Sequence, residues 1–309
     1  MKPIAPASCE HGAMTTTAGL TERRVRLAHG DEVDPAWNER RPELAFAVNA
    51  VSLLMPYAEP YFVGTVRRAC ADLDEPLRTT AVAFCAQEAR HHGEHRRFND
   101  RLTAGRPALV RIEGWAGRTY GWLDRTRSAR FSLAFAAASE TIAFSIARWA
   151  DRHDRVLFDG VSPSTAALFR WHLAEEVEHK SVAHDVYEAV DGSRLRYALA
   201  AATTLTLLAW FTVLAVLAQL WGSRWRWSPL PWLRLVPWAV SIGFVTVPNL
   251  VVASFPGHHP SDFGDPPGLV TWLRYFDPAT GTVPLLDGAA GHRAGPPAFG
   301  GDGAGAAER

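Results

Sequence analysis

Apolar residues recur at helical spacing through most of the N-terminal part of the chain. The pattern predicts four helices, which cover residues 44–73, 77–104, 128–153 and 163–191. Pro56 and Pro60 interrupt the first pattern, so we expect that helix to be kinked or to restart. The stretch VRIEGWAGRTYGWLD lies between the second and third helices and is predicted to belong to a loop. No run shows the strict alternation of a strand, and the predicted fold class is all-α.

The composition then changes, because residues 198–221 carry no charge and are long enough to cross a hydrocarbon core of about 30 Å. A second uncharged run covers residues 235–255, and the connection GSRWRWSPLPWLR has the tryptophans and arginines of a membrane interface. We therefore expect a membrane-associated helical hairpin. Two buried helices of a larger bundle are the alternative, which polar residues such as Thr203 and Asn249 leave open. A hairpin that enters one leaflet would avoid placing the loop arginines outside the cell.

Charge and cysteine content exclude several classes of protein. Lys plus Arg and Asp plus Glu both number 32, so the chain lacks the basic surplus of a nucleic-acid-binding protein. Cys9, Cys70 and Cys85 lie far apart, which argues against a disulfide framework and against a thiolate metal site. The N terminus has no apolar run like that of a secretory signal peptide. We expect a protein on the cytoplasmic side of the membrane, without a signal peptide.

These patterns divide the chain into four predicted segments. They are an irregular N-terminal segment (1–40), a four-helix metal-binding bundle (41–194), the apolar hairpin (195–256) and a C-terminal segment (257–309). Gly, Ala and Pro dominate the chain after about residue 287, where we expect disorder.

Two of the predicted helices carry the same chemical motif. The second contains Glu88 and His91 in FCAQEARHHGEHRRFN, and the fourth contains Glu176 and His179 in RWHLAEEVEHKSVAHD. A spacing of three residues places both side chains of each pair on one helix face. One Glu-x-x-His pair is most simply a solvated polar face, but two on separate helices are typical of di-metal centres in four-helix bundles.

Such a centre takes one further glutamate from each of the other two helices. Glu140 is the only acidic residue between Asp124 and Asp151, and it stands among alanines and phenylalanines, where an unpaired carboxylate is costly. Glu59 is the only acidic residue of its helix before Asp72. The predicted metal ligands are therefore Glu59, Glu88, His91, Glu140, Glu176 and His179.

Three neighbouring residues are candidates for additional ligands or for hydrogen-bonding support of the ligands. His95 and His172 lie one helical turn from the motifs, and we favour supporting roles for both. Glu175 is the alternative to Glu176, although the matched Glu-x-x-His spacing favours Glu176.

The sequence resembles the bacterial proteins described as predicted metal-dependent hydrolases, over roughly residues 24 to 275. The resemblance rests on NAVSLLMPYAEPYFVGTVRRA and on the two motif-bearing stretches quoted above. It implies a ferritin-like four-helix bundle with a di-metal site, followed by the apolar hairpin. Pro60 departs from the family pattern. The residue before a proline is pushed away from helical angles, so the orientation of the Glu59 side chain depends on how the helix accommodates this proline.

Carboxylate and imidazole ligands without thiolate suit iron, manganese or zinc, and we expect two metal ions, with iron as the first choice. The first hypothesis is O2-dependent oxidation of a lipophilic small molecule, which requires an electron donor as partner. The second is hydrolysis by a metal-activated hydroxide, as the family description implies. The third is metal storage or sensing without catalysis. None of the three involves nucleic acid as a partner.

Overall fold

The computed structural model describes residues 20–274 apart from 22, 24, 26, 28, 29 and 31. The predicted disorder after about residue 287 lies outside the described residues. The α-helices are α1 (Pro42–Ser52), α2 (Met55–Ala69), α3 (Leu77–Thr103), α4 (Pro107–Thr126), α5 (Ala129–Arg152), α6 (Asp154–Phe158), α7 (Pro163–His179), α8 (Val182–Val190), α9 (Arg194–Gly222), α10 (Pro229–Ala253) and α11 (Pro267–Leu273). Short 3₁₀ turns cover Cys70–Asp72 and Pro260–Asp262. The described part of the chain contains no strand, which confirms the all-α prediction.

The first predicted helix restarts, and its two prolines have different consequences. Pro56 lies in the first turn of α2, where its missing N–H leaves no hydrogen bond unmade. Pro60 lies inside α2, and its missing N–H leaves the carbonyl oxygen of Pro56 without its helical donor. Nη2 of Arg96 on α3 lies 3.5 Å from that oxygen and supplies a replacement donor. Glu59 therefore keeps its place within α2.

The predicted loop between the second and third helices is wrong, because residues 107–126 form α4. The stretch contains three glycines, and one of them, Gly117, serves close helix packing. A Cβ atom at Gly117 would lie 3.0 Å from the ring of Tyr57 on α2. The glycine thus lets α4 approach α2 more closely than any larger residue would allow.

Four helices enclose the interior that carries the predicted ligands. The helix α2 packs against α3 and α5, and α7 also packs against α3 and α5, so that the four close a ring. Ser128 and Ser162 cap α5 and α7 by accepting bonds from backbone N–H groups. The fourth predicted helix is interrupted at residues 180–181, so that its remainder forms α8, and Gly192 ends it with a φ of 65°.

The two apolar helices pack along the same bundle. The helix α9 contacts α1 and α5, and α10 contacts the same two helices. Phe211, Ala215 and Leu220 of α9 join the main hydrophobic core, and Gln219 accepts a 2.8 Å hydrogen bond from Asn49 on α1. Both helices are long and apolar enough to cross a membrane, yet only 33% and 17% of their most apolar windows are buried. The limits of the four predicted segments (1–40, 41–194, 195–256 and 257–309) stay predictions.

Candidate metal centre

The six predicted ligands meet in the interior of the ring. Their exposed fractions are 3% or less, and α2, α3, α5 and α7 all contribute at least one of them. They are Glu59, Glu88, His91, Glu140, Glu176 and His179. The Glu-x-x-His spacing turns both side chains of a pair towards the same interior, as the sequence predicts.

One cluster joins the two motifs. Glu88, His91, Glu176 and His179 each place one ligand atom within 4.8 Å of the others. Nδ1 of His179 lies 2.9 Å and Nδ1 of His91 lies 3.3 Å from Oε1 of Glu88. The same two nitrogens lie 3.8 and 3.7 Å from Oε1 of Glu176. Two carboxylates and two imidazoles thus converge on one point between α3 and α7.

A second cluster adjoins the first. Glu59, His95 and His172 also bring one ligand atom each within 4.8 Å of the others. Nε2 of His172 lies 2.8 Å from Oε1 of Glu176 and 3.8 Å from Oε1 of Glu59. The carboxylate of Glu176 therefore faces both clusters. Glu140 completes the enclosure, with its Oε2 3.9 Å from Nδ1 of His179.

His172 and His95 occupy different positions in this centre, although the sequence suggested a supporting role for both. His172 faces the carboxylates directly, and its Nδ1 lies 2.5 Å from Nε2 of His95. Nδ1 of His95 in turn lies 2.8 Å from the hydroxyl of Ser52 on α1. Burial and the neighbouring His91 lower the pKa of His172, which favours the neutral ring that a metal ligand requires. The geometry favours His172 as a ligand and His95 as its support.

Several carboxylate oxygens in the centre are buried without a hydrogen-bond donor in the described structure. They are both oxygens of Glu59, Oε2 of Glu140 and Oε2 of Glu176. Buried polar groups are otherwise almost always paired, because leaving one unpaired is costly. Metal ions would pair with all of these oxygens at once. The donor set therefore fits a metal centre of the predicted type.

The carboxyl groups of the centre titrate unequally. Burial raises the pKa of Glu59 and of Glu140 well above the usual range, and the nearby carboxylates of Glu88 and Glu176 raise both further. Burial would also raise the pKa of Glu88, but hydrogen bonds to His179 and His91 bring it below its ordinary value. Without metal, two of the carboxyls therefore hold protons that an incoming cation must displace.

The outer nitrogens of the two motif histidines are bound by residues of the opposite helix. Nε2 of His91 on α3 donates to Oε2 of Glu175 on α7, at 2.9 Å. Nε2 of His179 on α7 donates to Oε1 of Gln87 on α3, at 2.8 Å. Both bonds keep a proton on Nε2, so Nδ1 of each ring, which faces the carboxylates, is the nitrogen that binds a metal ion once the ion has displaced its proton. Glu175, the alternative ligand considered from the sequence, thus supports the ligand His91 through a hydrogen bond.

The N-terminal segment contacts the two residues, Glu175 and Gln87, that bind the outer nitrogens of the histidines. Arg23 is 5% exposed, and its Nη1 lies 3.1 Å from Oε1 of Glu175. The same guanidinium makes two 2.8 Å bonds to the carboxylate of Glu178. Gln87 donates through Nε2 to the carbonyl oxygen of Thr21, at 2.9 Å. Residues that precede the bundle therefore hold both supports of the histidines.

Sequence reasoning did not find Arg23 or Gln87. A signal for Gln87 existed, because Gln87 precedes Glu88 as Glu175 precedes Glu176, so the motifs are longer than Glu-x-x-His. No such signal marks Arg23, which lies 152 residues from Glu175 along the chain.

Comparison with known proteins agrees with this centre. Residues 21–264 match the family described as "Predicted metal-dependent hydrolase", a range that includes Arg23 and every candidate ligand. No curated protein and no solved structure matches the chain. The relationship to ferritin-like proteins stays a prediction. By the extent of the match, the chain belongs to the predicted metal-dependent hydrolase family.

Proposed function

We propose that the protein is a metal-dependent hydrolase with two metal ions between α2, α3, α5 and α7. The observation that supports this proposal is the convergence of four buried carboxylates with three imidazoles. Glu88, His91, Glu176 and His179 would hold one ion. Glu59 and His172 would hold the second, with Glu176 facing both ions and Glu140 beside them.

Charge supports a pair of divalent ions. Four carboxylates carry four negative charges, which two divalent cations balance in an interior that tolerates little net charge. Glu175 is left out of this sum, because its carboxylate binds the outer nitrogen of His91 and Arg23 instead of facing the ions. Iron, manganese and zinc all suit these ligands, and the ligand types alone do not choose among them.

Bound ions would polarise the carbonyl group of a substrate and lower the pKa of water from 15.7 to about 7. In the hydrolysis of an ester, a water oxygen bonds to the acyl carbon and the bond from that carbon to the alkoxy oxygen breaks. The proton lost by the water ends on the leaving alkoxide. The protein contributes a buried site, fixed imidazole tautomers, and carboxylates held by packing on four helices.

The test is metal content and esterase activity of the same preparation. We expect two metal ions per chain and metal-dependent hydrolysis of 4-nitrophenyl hexanoate, both lost in Glu176→Gln. Glu188→Gln, on α8 outside the centre, serves as the control and should keep both. Uptake of O2 with two irons and no hydrolysis would instead establish oxidation, which then requires an electron donor. Bound metal without either activity would indicate storage or sensing.

We also propose that α9 and α10 attach the protein to a membrane, on its cytoplasmic side. Large apolar side chains cover the outer faces of both helices, with exposed fractions of 59% at Trp210 on α9 and 76% at Phe244 on α10. Trp227, in the connection between the two helices, is 77% exposed. Contiguous exposed apolar surface of this kind is uncommon on soluble proteins. Trp221 and Trp227, next to Arg224 and Arg226, suit the boundary between lipid and water.

A further inference from the structure

A cavity of about 150 Å³ opens directly from the candidate metal centre. Its polar end is formed by Glu59, Glu88, Glu140, Glu176 and His172. From there it extends between α1, α5 and α7 and reaches Thr204 and Leu208 of α9. A substrate bound at the ions would therefore extend into this space.

The walls of the cavity away from the centre are hydrocarbon. They include Val51, Met55, Ile142, Ile146, Phe169 and Leu173. Of the four hydroxyl residues in the lining, Ser52, Ser139 and Thr204 donate to other parts of the protein, namely to Oδ1 of Asn99 at 2.7 Å and to the carbonyl oxygens of Phe135 at 2.8 Å and Ala200 at 2.9 Å. The remaining one is Tyr120, so the lining offers few donors to a polar ligand. Sugar or phosphate groups need donors to replace the water that they lose on binding. An apolar group makes no hydrogen bonds with water, so it loses none when it enters the cavity.

The volume limits the length of the group. An apolar cavity of 150 Å³ in another protein binds benzene, which gives a capacity of about six carbon atoms. We propose that this cavity binds the apolar part of the substrate, an ester or amide with a hydrocarbon group of about six carbons, whose carbonyl lies at the metal end. That the reacting group is an ester or amide rests on the proposed function. The size and the apolar character of the bound group rest on the cavity alone.

Binding of straight-chain primary alcohols, from propanol to decanol, tests the cavity without any hydrolysis. Calorimetric titration of the full-length chain as purified should show affinity rising about fourfold per methylene, the value for burial of one CH₂ group. The rise should stop at about six carbons, where the cavity is full. A rise that continues unchanged to decanol would show binding to exposed apolar surface and would overturn the proposal.

Two variants change the cavity in opposite directions. Ala143→Phe adds a ring to its α5 wall and should weaken hexanol binding at least tenfold, whereas Ala129→Phe, at the exposed start of the same helix, should not. Ile146→Ala removes three side-chain carbons from the wall and should move the longest well-bound alcohol from about six to about nine carbons. Misfolding cannot produce such a gain, so an unchanged length limit in Ile146→Ala overturns the assignment.

Hydrolysis separates this inference from the proposed function. If alcohols show the length limit but the metal-loaded protein does not hydrolyse 4-nitrophenyl hexanoate, the cavity assignment stands and the proposed reaction fails. If 4-nitrophenyl esters are hydrolysed at rates independent of acyl length, and Ala143→Phe changes none of them, the proposed reaction stands and the cavity assignment fails.

Discussion

His91 donates a hydrogen bond of 2.9 Å from its Nε2 to Glu175, so the nitrogen left for a metal is Nδ1. The bond joins α3 to α7 and has an anionic acceptor, because His91 and Arg23 both keep the pKa of Glu175 below its ordinary value despite burial. A carboxylate behind a ligating imidazole makes that imidazole a stronger donor to metal.

Glu175→Gln should therefore weaken metal binding by about 10- to 100-fold, with little loss of helix content. The amide oxygen preserves the hydrogen bond but not the charge that strengthens the donor. Competition with a chelator of known affinity measures the effect. Glu188→Gln is the control, and equal affinities in Glu175→Gln and the wild type would show that the charge behind His91 has no influence.

Arg23→Ala should lower the free energy of unfolding by about 3 kcal/mol, since breaking a buried ion pair from one side leaves an uncompensated charge. Glu175 is fully buried and would be the group left uncompensated. Chemical denaturation of the metal-free protein measures the loss. Arg23→Lys should recover part of it, because lysine restores the charge but not the forked geometry that engages Glu178.

Glu59 and Glu140 should make the metal-free protein less stable as pH rises above the ordinary glutamate range. Burial raises the pKa of Glu59 and Glu140, so the folded state binds protons that the unfolded chain has released. Their stabilising contribution is complete below about pH 4, near the unfolded pKa, and is lost as pH rises through the folded pKa. Unfolding free energies measured from pH 4 to pH 8 should fall less steeply in Glu140→Gln. An equal slope in both proteins would contradict the raised pKa of Glu140.

Gly117→Ala should destabilise the protein by about 1–3 kcal/mol, although alanine favours helix by about 1 kcal/mol. The new methyl group would lie 3.0 Å from the ring of Tyr57 on α2. Arg96 restrains this ring, because it donates to the Tyr57 hydroxyl at 3.2 Å and lies 4.9 Å from the ring centre. Gly114→Ala is the matched control on the same helix, because its methyl group meets only the flexible end of Arg118, at 3.6 Å. Thermal unfolding should show opposite signs for the two variants.

Replacing Trp227 and Phe244 together by serine should reduce binding to phospholipid vesicles at least tenfold. Each large apolar side chain contributes about 1.5–3 kcal/mol when it moves from water into an apolar phase. Flotation with vesicles measures the effect, and Trp122→Ser on α4, where the side chain is 47% exposed, is the control. A wild-type chain that stays with the soluble fraction would exclude the membrane proposal.

The sequence predicted the ligand-bearing helices because Glu88 and His91, like Glu176 and His179, follow the helical period. It failed at residues 107–126, because the same glycines that permit a loop also permit close helix packing, and only the position of Tyr57 decides between them. It also missed Arg23, since a contact between residues 152 positions apart leaves no local pattern. Local periodicity is thus visible in a single sequence, whereas long-range pairing is not.

The two residues that bind the outer nitrogens of the histidines, Gln87 and Glu175, make the centre asymmetric. The ligand pattern of α2 and α3 is repeated in α5 and α7, as a two-fold relation would require, and each half supports the histidine of the other. The relation fails behind the histidines, where a neutral amide binds His179 and an anion binds His91. Electron donation is therefore stronger from His91 than from His179, and the single ion that both imidazoles would hold meets two unequal donors before any substrate arrives.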